Sequence, residues 1–106
     1  MTASTTLTEL QDWYRSQCND DWEHSCGVKI ETLDNPGWSV TVDLTETELQ
    51  DRVFKPVVRG PIAYDLNQDQ DWIVCKVEGQ SFQGAGGPAK LEEIIATFLT
   101  WAKSGA

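Results

Sequence analysis

The chain has 106 residues and carries 17 acidic side chains against 8 basic ones, for a formal net charge of -9 at pH 7. A chain of this length holds one hydrophobic core, so residues 1–106 are predicted to form a single domain in which residues 1–5 are disordered. The negative field repels nucleic acid and anionic lipid and attracts a basic partner, so neither nucleic acid nor a membrane is an expected partner.

The sequence predicts a cytoplasmic protein with reduced thiols. No apolar run approaches the roughly 20 residues that a membrane-spanning helix needs. Residues 1–8 lack the basic start and apolar centre of a signal peptide. The cysteines are odd in number and scattered, which argues against a disulfide framework. They are Cys18, Cys26 and Cys75.

A first helix is predicted near the N-terminus. Thr6 and Glu9 have the spacing of a capping box, in which each side chain bonds the backbone amide of the other residue. Apolar residues then recur at three- and four-residue spacing and form one stripe. The stripe consists of Leu7, Leu10, Trp13 or Tyr14, and Cys18. The helix is expected to end near Cys18, because the polar residues that follow compete for backbone hydrogen bonds.

Two β-rich segments flank a turn signal, Asp-Asn-Pro-Gly, in residues 34–37. Proline fixes the backbone for one corner of a tight turn, and glycine accepts a positive φ at the next. The apolar positions are Val28, Ile30 and Thr32 in the first segment, and Trp38, Val40, Val42 and Leu44 in the second. Their alternation with polar residues predicts an antiparallel hairpin with one apolar face.

The hairpin and the residues before it carry a family resemblance. The strings Asp-Trp-Glu-His in residues 21–24 and Gly-Val-Lys-Ile-Glu-Thr-Leu-Asp-Asn-Pro-Gly-Trp in residues 27–38 resemble the signature of the immunity protein 53 family, small proteins encoded beside bacterial polymorphic toxins. The likeness extends over nearly the whole chain, through Trp13-Tyr14, Gln17-Cys18, residues 71–77 and residues 84–101. The resemblance implies neutralisation of a cognate toxin by binding, and it assigns no functional residues.

The segments after the hairpin predict two more strands. Residues 45–52 are polar and are predicted to be a connection. Residues 53–59 are β-rich but include Pro56, which cannot donate to a ladder and therefore predicts an edge strand or a position beside a bulge. Residues 62–64 are expected to continue the same strand. Residues 71–77 are apolar on both faces, which predicts a central strand.

The last segments complete an α+β fold. Residues 79–87 are predicted to be a glycine-rich connection, with Pro88 as the first residue of a C-terminal helix. The apolar stripe of that helix is Leu91, Ile94, Ile95, Phe98, Trp101 and Ala102. The predicted fold is a four-stranded antiparallel sheet with the N-terminal and C-terminal helices packed on one face, in the order α-β-β-β-β-α.

Other kinds of site are less well supported. The glycines of residues 84–87 precede a helix, as in a phosphate cradle, but the lysine and hydroxyl of the Walker pattern are missing. Cys18, His24 and Cys26, with carboxylates close by, leave open a small cysteine- or metal-dependent enzyme as the alternative function. The paired spacings of a zinc site are absent. No catalytic residue, metal ligand or cofactor is therefore predicted.

Five tryptophans are many for a chain of this length, and they are its most informative residues. Trp13, Trp38 and Trp101 fall on predicted core faces. Trp22 and Trp72 each follow an aspartate, a pattern typical of an apolar interface anchor ringed by charge. An equally weighted alternative is that Trp22 closes the end of the core and Trp72 packs against the loop before it.

The favoured interpretation is an immunity protein that binds a basic toxin, with a nuclease as one candidate, through the helix-free face or rim of its sheet. The predicted contact residues are Asp20, Asp21, Trp22, Glu23, His24, Glu31, Asp69, Asp71 and Trp72. A homodimer is left open.

Overall fold

The computed structural model describes residues 5–34, 36–60 and 72–104 and has an α+β fold. The helices are α1 (Thr6–Gln17), α2 (Trp22–Ser25) and α3 (Leu91–Lys103). The strands are β1 (Val28–Leu33), β2 (Gly37–Asp43), β3 (Val57–Arg59), β4 (Ile73–Glu78) and β5 (Ser81–Gly86). They form one antiparallel sheet in the order β1-β2-β5-β4-β3. No helix in this described part is long and apolar enough to cross a membrane.

The sheet has five strands where four were predicted. Residues 81–86 form β5, which pairs with β2 on one side and β4 on the other and is therefore the central strand. A tight turn at Gly79, whose φ is +62°, joins β4 to β5. The predicted glycine-rich connection is thus wrong. The predicted start of the last helix at Pro88 is also wrong, because α3 begins at Leu91.

The glycines of β5 allow α3 to approach the sheet closely. A Cβ added to Gly84 would lie 2.4 Å from Cγ2 of Ile94, and one added to Gly86 would lie 2.8 Å from Cβ of Lys90. Glycine inside a strand often marks such a close approach. The high glycine content of residues 79–87, which predicted a loop, therefore reflects the close packing of α3 on β5.

The β1–β2 hairpin is confirmed. Its register runs from Val28 opposite Val42 to Leu33 opposite Gly37, and Asn35 in its turn lies outside the described residues. On β2 the predicted alternation holds, since Val40 and Val42 are buried. On β1 it does not produce a buried face, because β1 is an edge strand and few residues cover it.

The first helix forms with a different cap from the one predicted. Thr5 is the N-cap, and its hydroxyl oxygen accepts a 3.0 Å hydrogen bond from the amide of Thr8. Of residues 1–5, expected to be disordered, Thr5 has this role and residues 1–4 lie outside the described part. The helix ends at Gln17, as predicted, but its buried stripe is narrower, because Leu7 is 55% exposed.

The strands after the hairpin are shorter than predicted. From residues 53–59 only the last three form β3, which is an edge strand, as Pro56 indicated. Residues 62–64 lie outside the described part. Ile73 and Cys75 of β4 are fully buried and face the helices.

The core lies between the sheet and α3. Helix α3 packs across β5, β2 and β4, and α1 packs against α3. Phe98 stands at the centre, with its ring centroid 5.0 Å from that of Trp13, 5.2 Å from Phe82 and 6.3 Å from Trp101. Burying each large apolar side chain contributes about 1.5–3 kcal/mol.

Candidate partner-binding site

The short segment between α1 and α2 is held in its conformation by hydrogen bonds between its backbone amides and nearby side chains. The carboxylate of Glu23 accepts hydrogen bonds from the amides of Asn19 and Asp20, at 2.9 and 2.8 Å. The side-chain oxygen of Asn19 accepts from the amides of Asp21 and Trp22, at 3.0 and 2.8 Å. The side chains of Asp20 and Asp21 are exposed. This network therefore fixes the backbone from which two carboxylates project.

A second acidic segment follows β2. We call residues 44–56 the β2–β3 connection. Its turn is held by Thr47, whose hydroxyl donates to the carbonyl of Leu44 at 2.8 Å and accepts from the amide of Leu49 at 3.0 Å. Leu44 and Leu49 are almost fully buried. They anchor the connection while Glu46 and Glu48 between them stay exposed.

Three tryptophans of the core donate hydrogen bonds to the β2–β3 connection. The indole N–H of Trp13 donates to the carboxylate of Glu48 at 3.1 Å, that of Trp22 to the carbonyl of Thr45 at 2.8 Å, and that of Trp101 to the carbonyl of Val53 at 2.9 Å. Each ring lies in the core while its N–H serves the connection, which is the usual compromise for a buried indole.

These contacts bring the two acidic segments together. Gln17, at the end of α1, donates to the second carboxylate oxygen of Glu48 at 2.9 Å. The segment around Trp22 meets Thr45 through the indole hydrogen bond. We call the resulting surface the acidic end, and its carboxylates belong to Asp20, Asp21, Glu23, Glu46 and Glu48.

Two carboxyl groups of the acidic end have lowered pKa values. The pKa of Glu23 is lowered chiefly by its own backbone amide and further by the amides of Asn19 and Asp20, against the opposing effect of burial. Burial would raise the pKa of Glu48, but its own amide, the side chains of Gln17 and Trp13, and the charge of Arg52 together lower it. Both groups are therefore ionised at neutral pH.

Backbone strain is concentrated in the same two segments. The non-glycine residues with positive φ in the described chain are all acidic: Asp20 at 74°, Glu46 at 62° and Asp51 at 65°. A side chain in this left-handed region costs on the order of 1 kcal/mol, although aspartate tolerates it better than most residues. The surrounding hydrogen bonds and the buried leucines offset that cost.

Trp22 is not on the surface. Its side chain is 2% exposed and its ring centroid lies 6.1 Å from Trp13 and 5.9 Å from Tyr14. The second of the two sequence interpretations therefore holds for this residue, and Trp22 closes the end of the core. Tyr14, which packs against it, is 38% exposed.

The other predicted contact residues are dispersed. The acidic end adjoins the β4–β5 turn, since the amide of Leu44 donates to the carbonyl of Gln80 at 2.8 Å. Trp72 precedes β4 at the opposite end, where its carbonyl accepts from the amide of Gly87. The six residues of β4 separate these ends by about 20 Å. Glu31 lies on the edge strand β1, and Asp69 and Asp71 lie outside the described residues.

The residues of the alternative function do not form a cluster. His24 lies in the helical turn α2 and is exposed. Within the described ranges no group of three or more histidine, cysteine or acidic side chains is placed to hold a metal ion. A pocket of about 460 Å³ beside β1 is lined by Cys26, but neither Cys18 nor His24 lines it.

Cys75 is a core residue. Its side chain is fully buried, and burial raises the pKa of the thiol to about 11, so it stays protonated at neutral pH. A reactive cysteine needs a lowered pKa and access to solvent. The position of Cys75 provides neither.

Sequence reasoning found half of the acidic end and missed the other half. Asp20, Asp21 and Glu23 were predicted to contact a partner, whereas Glu46 and Glu48 were assigned to an ordinary polar connection. The available signal was Leu49, a single large apolar residue inside a polar stretch. Such a residue indicates that the stretch folds back onto the core.

The fold is a small α+β domain, and exposed carboxylates from two segments lie at one of its ends. The sequence model of the family described as immunity protein 53 matches residues 7–103, nearly the whole chain. The chain therefore belongs to the immunity protein 53 family, which fits binding better than catalysis. Neither a curated protein nor a solved structure matches it significantly.

Proposed function

We propose that the protein is an immunity protein that neutralises a cognate toxin by binding it through the acidic end. The observation that carries this proposal is the pairing of two acidic segments, distant in sequence, on a member of an immunity protein family. Binding alone would neutralise the toxin, so the protein would not need to catalyse a reaction.

The chemistry of the acidic end favours a basic partner. Concentrated negative charge raises the rate of encounter with a positively charged surface by about 10- to 1,000-fold at low ionic strength. A toxin that cleaves nucleic acid must have a basic cleft to bind its substrate. A nuclease is therefore the toxin class that suits this surface best, and the acidic end would compete with nucleic acid for that cleft.

The fixed geometry of the surface also supports binding. The carboxylates stand on segments held by indole hydrogen bonds, buried leucines and side-chain caps. Less conformational freedom is therefore lost on association. Tyr14 provides the apolar contact beside them, in place of the buried Trp22. Tyrosine is among the residues enriched in interface hot spots.

The test measures binding to the toxin encoded beside the gene of this protein. One variant neutralises the acidic end (Asp21→Asn with Glu46→Gln), and a matched control removes the same charge at exposed positions elsewhere (Asp34→Asn with Glu92→Gln). We expect the first variant to lower the association rate constant about tenfold at low salt and the control to change it much less. The difference should shrink at high salt, because the charges are then screened.

Two results would contradict the proposal. Equal slowing by both variants would mean that overall charge, and not the acidic end, drives association. Failure of the wild-type protein to bind the toxin or to protect cells that express it would refute the function itself.

A further inference from the structure

The two edges of the sheet differ in how accessible they are to another strand. At one edge β3 has only three residues and follows Pro56. At the other edge β1 has six residues, without proline or glycine, in regular pairing with β2. Native proteins usually protect edge strands by shortening them or by adding proline or charged side chains. Strand β1 is neither short nor interrupted by proline, and its two charged residues, Lys29 and Glu31, have opposite signs and can pair with those of another strand, so its outer edge is suited to pairing.

The pairing of β1 with β2 determines which backbone groups point outward. Gly27 stands opposite Asp43, and its carbonyl accepts from the amide of Asp43 at 3.0 Å. Hydrogen-bonded pairs alternate along an antiparallel ladder. Lys29, Glu31 and Leu33 therefore direct their amides and carbonyls toward β2. The outward-directed groups belong to Val28, Ile30 and Thr32.

We propose that the outer edge of β1 binds β1 of a second copy of this chain, antiparallel and with the two-fold axis at Ile30. In this register Ile30 faces Ile30 of the other copy, and Val28 faces Thr32. All these residues present outward amides and carbonyls, so the three pairs make six backbone hydrogen bonds. The two sheets join into one continuous ten-stranded sheet.

The charges on β1 select this register. With the axis at Ile30, Lys29 of each copy lies directly opposite Glu31 of the other, in non-hydrogen-bonded pairs whose Cα atoms are about 4.5 Å apart. An axis at Lys29 would place the two lysines opposite each other, and an axis at Glu31 the two glutamates. Like charges directly opposite each other destabilise strand pairing. Only the proposed register gives two cross-strand ion pairs.

The proposed dimer also covers exposed apolar surface and keeps the two negatively charged ends apart. Ile30 is 38% exposed in the single chain, and the second copy would cover it. The N-terminal end of β1 lies near the acidic end, because Gly27 pairs with Asp43. Antiparallel pairing therefore points the two acidic ends in opposite directions. It limits their repulsion and leaves both free for a toxin.

The dimer should be weak, because five residues from each strand form a contact at the low end of specific interfaces. Sedimentation equilibrium over a wide concentration range should show a reversible monomer–dimer equilibrium at low salt. Lys29→Glu and Glu31→Lys should each raise the dimer dissociation constant about tenfold or more, since each places like charges opposite one another twice. Both side chains are exposed, so thermal melting should show that the variants are folded.

Mixing the variants gives the decisive control. Lys29→Glu and Glu31→Lys, each monomeric alone, should form a mixed dimer, because all four facing charges are then opposite. The double variant Lys29→Glu with Glu31→Lys should dimerise like the wild type. A wild-type protein that stays monomeric at every concentration, single variants that dimerise normally, or a mixture that fails to associate would each overturn the proposal.

Discussion

The two ends of the sheet are held together in opposite ways. At the acidic end the structure is stabilised by large side chains. Trp22, Leu44 and Leu49 are buried, and indole N–H groups donate hydrogen bonds to the β2–β3 connection. Toward the other end the absence of side chains matters, because Gly84 and Gly86 let α3 approach β5. One end holds an exposed acidic connection in place, while the other brings the helix onto the sheet.

The largest expected effect comes from removing the aromatic anchor of the acidic end. Trp22→Ala deletes a ring that is 2% exposed and leaves the carbonyl of Thr45 without its donor. We expect a loss of about 3–5 kcal/mol in the free energy of unfolding, measured by urea denaturation. Trp38→Ala at the other end removes a half-buried ring and should cost less. If Trp38→Ala lowered the free energy of unfolding more than Trp22→Ala, the acidic end would not depend on the buried ring of Trp22.

A single methyl group tests the close packing at the other end. Gly84→Ala places a Cβ 2.4 Å from Cγ2 of Ile94, a stiff β-branched side chain, and should destabilise the protein by about 1–3 kcal/mol. Gly27→Ala adds the same methyl group with nothing within 4 Å of it, and should change stability by less than about 0.5 kcal/mol. Equal thermal shifts for the two variants would contradict a tight contact between helix and strand.

The smallest expected effect concerns Glu48 and depends on pH. Its pKa in the folded protein is below the ordinary value of 4.5, so its stabilising effect is present above pH 4.5 and is lost as the pH falls through the folded-state value. Glu48→Gln should cost about 0.5–1 kcal/mol at neutral pH, a modest figure because the group is largely in solvent.

The comparison for Glu48 is made between neutral and strongly acidic solution. The gap in unfolding free energy between wild type and Glu48→Gln should narrow in acid, where both side chains are uncharged. Glu46→Gln, at the neighbouring exposed position, should be nearly neutral at pH 7. A gap that is constant with pH would indicate that the carboxylate charge of Glu48 contributes nothing.

The parts of the fold with strong local signals were predictable. The Asp-Asn-Pro-Gly turn between alternating segments identified the β1–β2 hairpin, and the apolar stripe identified most of α3. Strand β5 was not predictable in this way, because Gly84 and Gly86 have poor strand propensity and are there to make room for a helix distant in sequence. The four-residue α2 is too short to have a periodic pattern of its own.

The candidate site was predictable in composition but not in assembly. The acidic residues between positions 12 and 51 were visible in the sequence. That Glu48 meets Gln17 and Thr45 meets Trp22 depends on contacts between positions 31 and 23 residues apart. Trp22 itself was ambiguous, because an aspartate beside a tryptophan is compatible with an exposed ring or a buried one.

The separation between anchors and carboxylates has a consequence for how such a protein can evolve. The groups that hold the acidic end are buried rings and leucines, whereas Asp21 and Glu46 make little contact with the interior. Substitutions at the outer positions can therefore accumulate without threatening folding. A protein built in this way can change the charge and shape of its acidic end while the buried rings and leucines beneath it stay the same.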